Sequence, residues 1–275
     1  MSVSLIDQMV ERVLDTSLNC QEKMYHDDIP SKPGQGFSEK SVRDAYCRAS
    51  FERGSKGIAE SDISGYDWSM KPWEHEMDAD MRVRMTWGPK EALRRFDHMI
   101  HVRCALVILA VFALEDGSLW MLSLPGIQLS GSFNTSSTNS RVRVALAYYV
   151  GARWADAQGD DAIEDPVEGA RDEYELLGHP IKDYRVCLPD VDEDPSFTFC
   201  SVRFCRSGAS YPVDGTKGLY NFCKLKEWDV DRVVALRHDL DGSPLWPSVL
   251  AALRLHRPVE YEKYSWLLTD EGNPQ

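Results

Sequence analysis

Several features are missing from this 275-residue chain, and each absence narrows the field. Its start, MSVSLIDQMVERV, has neither the basic opening nor the apolar core of a signal peptide. The longest apolar run, Cys104–Leu114, is well short of the roughly 20 residues a bilayer span needs, so no transmembrane segment is expected in this chain. No C-x-x-C pair occurs among Cys20, Cys47, Cys104, Cys187, Cys200, Cys205 and Cys223. An odd, scattered set points to reduced thiols in a cytosol-like compartment and away from a zinc site. The histidines form no HExxH, and His98 with His101 reads as a surface pair. No internal repeat and no low-complexity tract is visible. Positive charge is also short: the net charge is −13, which weighs against a general nucleic-acid binder. The deficit is local, however. Asp156–Glu175 holds nine acids and one arginine, and Asp190–Asp194 adds four more acids, leaving the rest of the chain close to neutral.

What is present is an ordinary folded composition, 43% hydrophobic and 27% charged, in a length that suits one large domain or two modest ones. Ser4–Leu14 reads as a helix with Leu5, Met9, Val10 and Val13 on one side. PSKPGQGF (30–37) reads as a loop, 39–53 as a helix, and Gly57–Ser61 as a strand leading into Asp62. Met70, Trp73, Met77 and Met81 recur at helical spacing. After the Gly88-Pro89 break, so do Leu93, Phe96, Ile100, Cys104 and Val107. Both stripes are expected in the core. Glu115-Asp116-Gly117 marks a hairpin, and Thr135–Val150 a helix. Short extended pieces, Trp154–Ala157 and Ala162–Glu164, flank Gly159-Asp160-Asp161. Val167, Ala170, Tyr174 and Leu177 mark a helix closed by Gly178. Ile181–Cys187 and Phe197–Phe204 read as strands. From Lys217 onward the chain reads as helical, broken at Asp241-Gly242-Ser243-Pro244. The order predicts an α+β fold with an antiparallel sheet, not an alternating doubly wound one.

Three segments carry chemistry: DISGYD (62–67), SGSFNTSSTNS (130–140) and GDD (159–161). A lone GDD is usually a turn, but the three in this order are a rarer combination. Nucleotidyl transfer proceeds through a phosphorus bearing high negative charge, and two Mg²⁺ ions can steady the attacking and leaving oxygens. Mg²⁺ takes hard carboxylate oxygens, so a strand end with Asp62 and a hairpin turn with Asp160 and Asp161 must converge. Gly159 lets that turn bend tightly. Asp67 and Asn139 supply an acceptor and an amide suited to testing a ribose 2′-OH, which both donates and accepts. Ser130 and Thr135 can complete that network or can cap the following helix, and Gly131 permits a flexible loop at its start.

Taken with SVSLIDQMVERVL, PSKPGQGFS, PGIQLSGSFNTSSTNSR and the late Phe199-Cys200-Ser201, these segments resemble the polymerase of sobemoviruses and their polerovirus-like relatives, from about residue 2 to about residue 225. The resemblance implies a right-hand polymerase of α+β class. It implies partial fingers in 1–56, a palm with inserted fingers helices in 57–210, and a thumb portion in 211–275. The implied activity is RNA-directed RNA synthesis from NTPs on an RNA template, with nascent RNA and other viral replication proteins as partners. The implied cofactor is two Mg²⁺ or Mn²⁺ ions on Asp62, Asp160 and Asp161. By motif, Asp67, Ser130, Gly131, Thr135 and Asn139 meet the ribose of the NTP, and Phe199, Cys200 and Ser201 form a primer-gripping hairpin. Lys182 stands where the family has a lysine able to protonate the leaving pyrophosphate; an exposed surface lysine is the alternative. The implied location is the host cytoplasm, at a membrane-associated replication complex. In the family a basic stretch that meets the triphosphate precedes the counterpart of SVSLIDQ, so a piece of a longer product is expected here. Two competing readings are a reverse transcriptase and a non-catalytic module derived from a polymerase. The first would place an aromatic residue at Asp67 and ahead of the paired aspartates.

Overall fold

Strand β1, Ile58–Ile63, shows how the sequence makes its first sheet. Ala59, Ser61 and Ile63 are buried along one face, and Glu60 and Asp62 lie half-exposed on the other, the two-residue period of a strand. A computed structural model describes residues 3–37, 39–240 and 242–269. Asp241, first residue of the expected late break, lies outside the described residues, as do Ser2 and Ser38 at the ends of two stretches that carry the resemblance.

In chain order the elements are α1 (Leu5–Met24), α2 (Lys40–Arg53), β1, α3 (Tyr66–Ser69), α4 (Pro72–Met85), α5 (Lys90–Ile108), β2 (Val111–Ala113) and β3 (Leu119–Met121). Then come α6 (Thr135–Val150), β4 (Ala155–Gln158), β5 (Asp161–Glu164), α7 (Ala170–Leu176), β6 (Ile181–Cys187), β7 (Ser196–Phe199), β8 (Val202–Cys205) and β9 (Ser210–Pro212). Four helices close the chain: α8 (Gly215–Cys223), α9 (Val230–Leu240), α10 (Trp246–His256) and α11 (Pro258–Leu268). The chain divides into two compact units, Met1–Gln35 with Ala59–Val186, and Gly36–Ile58 with Cys187–Gln275.

The first unit is built on a sheet of order β4-β5-β1-β6, with β5 antiparallel to both β4 and β1. Ile63, Tyr66, Met70, Val142, Leu146, Ala170 and Tyr174 form an apolar cluster drawn from β1, α3, α6 and α7. Helix α6 is buried almost without interruption from Ser137 to Ala147, so it is the central column of this unit.

The stripe expected in the core between Met70 and Met81 holds in part, with Met70 buried and Met77 packed against the same apolar cluster; where it departs, the physical reason is shared with α1. Helix α1 turns its apolar stripe outward: Leu5 is 73% and Val13 81% exposed, whereas Glu11 and Asp15 are each 3% exposed. In α4 the buried residues are Glu74, His75, Asp78, Ala79 and Arg82, while Trp73 is exposed. A ladder of ion pairs occupies the space between these helices and α6. Arg82 pairs with Asp15 and Asp78, and Arg141 pairs with Asp78 and Glu22. Buried guanidinium and carboxylate groups satisfy each other, so the inward faces are the charged ones. Periodicity alone registers the apolar side of a helix and misses a core of paired charges. In α5 the expected face does point inward, with Ile100 buried and Phe96 and Cys104 packed beside it.

The second unit holds the three-stranded sheet β7-β8-β9. Its strands pack aromatic residues against α2: Tyr46 stacks on Phe199 at 5.5 Å, and Phe197 stacks on Phe204 at 5.1 Å. The segment Phe197–Phe204 is a hairpin, turning at Cys200-Ser201. Helices α8 to α11 gather Phe222, Trp228, Val233, Leu236, Leu240, Val249, Leu253, Tyr264 and Leu268 into their own apolar cluster.

Candidate active site

The strand register fixes where the acidic residues fall. Ser61 on β1 stands opposite Ala162 on β5, so one step outward along each strand sets Asp62 beside Asp161. Residues opposite each other in an antiparallel pair share a face. Gln158 on β4 pairs with Asp161 on β5, leaving Gly159 and Asp160 as a two-residue turn. Gly159 has φ 67°, the conformation a tight hairpin needs at its first central position. Asp160 is exposed at the tip of the turn.

These carboxylates feel one another. Burial, and then the charges of Asp160 and Asp62, push the Asp161 carboxyl up to about 6. The Lys182 ammonium, itself 70% exposed, lies 3.3 Å from Asp62 Oδ2. Among the described residues, no three acidic, histidine or cysteine side chains stand close enough to enclose a metal ion. The three aspartates therefore share one end of the sheet without converging on a point. Like charges repel, and Lys182 holds one of the carboxylates. Their donor set still suits a hard divalent cation: carboxylate oxygens at one sheet end, with Asp161 raised by burial and then by its acidic neighbours.

Next to the turn lies an open cleft of about 760 Å³, lined among others by Asp67, Trp68, Ser130, Thr135, Asn139 and Asp160. That volume is within the usual range for small-molecule sites, about 300–1,000 Å³. Asn139 Nδ2 donates to Asp67 Oδ1 at 2.9 Å, and Ser130 Oγ donates to Asp67 Oδ2 at 2.5 Å. Asn139 Oδ1 is buried and has no hydrogen-bond partner among the described residues. Thr135 does not reach Asp67. Its hydroxyl donates to the Leu129 carbonyl at 2.8 Å and accepts from Gln128 at 3.3 Å, tying down the loop ahead of α6. Gly131 lies in that loop, half-buried. Neither Ser130 nor Thr135 caps α6, whose N-cap is Asn134 without a side-chain bond.

Several contributors escaped the sequence reading. The Glu11 carboxylate accepts from Ser132 Oγ at 2.6 Å and from the Phe133 amide at 2.8 Å, and pairs with Arg103 at 2.7 Å. The available signal was the polar stripe Glu11, Asp15, Asn19 and Glu22, which recurs at helical spacing on α1. Arg143, fully buried, contacts Ser61 beside Asp62 and donates to the Tyr174 hydroxyl at 2.6 Å. Ser140 Oγ accepts from the Gly159 amide at 2.9 Å; its position directly after T-x3-N was the only hint.

Phe199, Cys200 and Ser201 belong to the second unit. Phe199 is buried at the end of β7, and Cys200 and Ser201 form the β7–β8 turn with φ 51° and 60°. Two adjacent non-glycine residues in the left-handed region are unusual and cost conformational energy, although the two-residue hairpin turn requires that geometry.

With the fold and its acidic turn in view, the chain can be set beside known proteins. A mixed helix and antiparallel-sheet unit with carboxylates at a strand end and a hairpin turn defines a palm-type polymerase. The chain belongs to the family described as Viral RNA-directed RNA-polymerase, whose profile matches residues 1–216. It is 36% identical over 257 residues to Replicase polyprotein P2AB of Southern bean mosaic virus, covering 90% of this chain and 25% of that protein. It is also 36% identical over 280 residues to Protein P1-P2 of Potato leafroll virus, covering 98% of this chain and 25% of that protein. The RNA-directed RNA polymerase of Mushroom bacilliform virus is 33% identical over 276 residues, covering 93% of this chain and 64% of that protein. This chain thus spans about a quarter of the polyproteins it resembles. In fold it is similar to the RNA-dependent RNA polymerase of a human picobirnavirus, with TM-score 0.64 and 13% identity over 97% of this chain and 54% of that one. The expected α+β palm fold and the expected family both hold.

Proposed function

We propose that this chain carries the catalytic centre for RNA-directed RNA synthesis in viral replication, joining NTPs on an RNA template. The observation that carries the reading is the sugar site. Asn139 is fixed by Asp67 through its Nδ2, and its Oδ1 is a buried acceptor with no partner among the described residues, in a cleft that also exposes Asp160. A ribose 2′-OH donates one hydrogen bond, which is what that oxygen lacks, and a deoxyribose does not. Family membership and the palm fold support the same reading.

In this reading Asp62, Asp160 and Asp161 hold two Mg²⁺ or Mn²⁺ ions, whose charge steadies the attacking and leaving oxygens of the displacement. Asp67 orients Asn139, and Ser130 closes the other side of the Asp67 carboxylate. Thr135 and Gly131 shape the loop that borders the cleft. Lys182, beside Asp62, donates a proton to the departing pyrophosphate once it has left that carboxylate. The hairpin of Phe199, Cys200 and Ser201 grips the primer end, with partial fingers in 1–56, palm in 57–210 and thumb in 211–275. The partners are template and nascent RNA and other viral replication proteins, and the place of work is a membrane-associated replication complex in the host cytoplasm. No described helix is long and apolar enough to cross a membrane.

The test is Mg²⁺-dependent incorporation of NTPs on primed RNA, by this chain and by a form extended upstream as in the longer relatives. Asp160→Asn removes one charge at nearly constant size. It should cut incorporation more than about 100-fold, the loss typical when a group stabilising transition-state charge is removed. The melting temperature should be unchanged or raised. Near-normal activity in the variant would refute the assignment.

A further inference from the structure

Ser140 belongs to no role described so far, yet it is fully buried at a junction of the site. Its Oγ donates to the Ser136 carbonyl at 2.6 Å, which fixes the side chain one turn back along α6. The same oxygen then accepts from the Gly159 amide at 2.9 Å. That amide opens the two-residue turn carrying Asp160, at the position whose left-handed φ of 67° sets the direction of the hairpin. The residue just before Ser140 is Asn139, which holds Asp67. Successive residues on a helix point about 100° apart, so a single turn of α6 reaches the sugar site with one side chain and the acidic turn with the next.

Resting on the polymerase reading above, we infer that Ser140 is a positioning residue for the metal-binding carboxylates. Its hydroxyl fixes the Gly159 amide, and so the conformation of the Gly159-Asp160-Asp161 turn, and it couples that turn to the helix that inspects the sugar. Three features make the coupling stiff. Helix α6 is buried from Ser137 to Val144, so it does not shift to follow the turn. The Ser140 hydroxyl is already committed as a donor to Ser136, so the lone pair facing Gly159 is oriented. An added Cβ at 159 would meet nothing within 4 Å, so no side-chain packing crowds the turn there, and the Ser140 bond adds to the β4–β5 ladder that closes it.

The test begins without catalysis. Exchange of the Gly159 amide is followed by NMR in this chain, and Mn²⁺ affinity is measured by calorimetry. Ser140→Ala should speed exchange at Gly159 about tenfold and weaken Mn²⁺ binding several-fold, the scale on which one intramolecular hydrogen bond acts. Ser140→Thr, which keeps the hydroxyl, should restore both. In the upstream-extended form the half-saturating Mg²⁺ concentration should rise for Ser140→Ala while the KM for template stays put. If Ser140→Ala does not fold, Ser140→Cys, slightly larger but a much weaker acceptor, carries the same expectation. Unchanged Gly159 exchange or unchanged Mn²⁺ affinity in Ser140→Ala or Ser140→Cys, or a wild-type chain that binds no Mn²⁺, would overturn the inference. Mn²⁺ binding that depends on Ser140, with no NTP incorporated by this chain or by the upstream-extended form, would instead sink the polymerase reading and leave the positioning role standing.

Discussion

At the scale of single residues, the sharpest consequence of the site is sugar choice. If a 2′-OH satisfies Asn139 Oδ1, an incoming dNTP leaves that oxygen unpaired, and a site built to bond a hydroxyl rejects the analogue lacking it. Asp67→Ala frees the amide that Asp67 now anchors, and Asn139→Ala removes the acceptor. Either should lower the ratio of NTP to dNTP incorporation about 5- to 100-fold, because an unsatisfied buried group costs about 1–3 kcal/mol and 1.4 kcal/mol is one decade. Single-nucleotide incorporation with each sugar measures it, and an unchanged ratio in both variants would refute the ribose role. At this scale the sequence was most legible. Asp62, Asp67, Ser130, Asn139, Asp160 and Asp161 were all named from motif spacing, and the first unit gathers them around one sheet end and one cleft. Asp67 does not cap α3, whose N-cap is Gly65. Thr135 lines the same cleft, but its hydroxyl serves the loop backbone, a detail that depends on where Leu129 folds back and leaves no mark in spacing.

At the scale of elements, the loop before α6 depends on a helix far from it in sequence. Glu11 on α1 holds Ser132 and the Phe133 amide, and Arg103 on α5 holds Glu11. Replacing Glu11 with Gln removes the charge while keeping one acceptor, leaving the nearly buried Arg103 guanidinium without that counter-charge. Breaking a buried pair from one side costs about 3–5 kcal/mol. The variant should melt lower, exchange the Phe133 amide faster, and require more NTP for half-saturation, since Ser132 and Phe133 line the cleft. A normal KM and unaltered exchange at Phe133 would show that the loop holds itself. This dependence was illegible in the sequence because helical patterning identifies apolar stripes, and α1 uses its polar one. The bounds of α6, by contrast, were read directly as Thr135–Val150.

At the scale of the molecule, the buried charges make acid the informative stress. Burial alone would raise the Asp78 carboxyl, but Arg141 and Arg82 together hold it well below the ordinary carboxylate range. A depressed carboxylate stabilises the fold above its unfolded value near 3.8. That stability is lost as pH falls through the folded value, so the contribution persists at pH 5 and declines only in stronger acid. Asp78→Asn should therefore destabilise the chain by about 3–5 kcal/mol at pH 7. The difference from wild type should shrink as unfolding is measured below pH 4. A gap that stays constant down to pH 2 would mean the pair contributes through shape rather than charge. Sequence composition left these charges unmarked, because a count of acids carries no information about which of them meet arginines inside.

The loop PSKPGQG has a consequence of a different kind. Strand β4 is at one end of its sheet, and the loop lies along it: Ser31 bridges Ala157, Lys32 donates to the Ala157 carbonyl at 2.8 Å, and the Ala157 amide donates to Pro30 at 3.0 Å. The end of the Gln158 side-chain amide lies 3.0 and 3.1 Å from the Lys32 and Gln35 carbonyls, and with its nitrogen assigned to that end it donates to both. A bare strand edge is a template on which foreign strands assemble. Here the edge is occupied by a segment that cannot itself become the next template, because Pro30 and Pro33 flank the paired residues and have no amide hydrogen to offer. The sheet bearing the acidic turn is thereby closed to strand addition along its β4 edge, the edge next to that turn, and β6 forms the other edge.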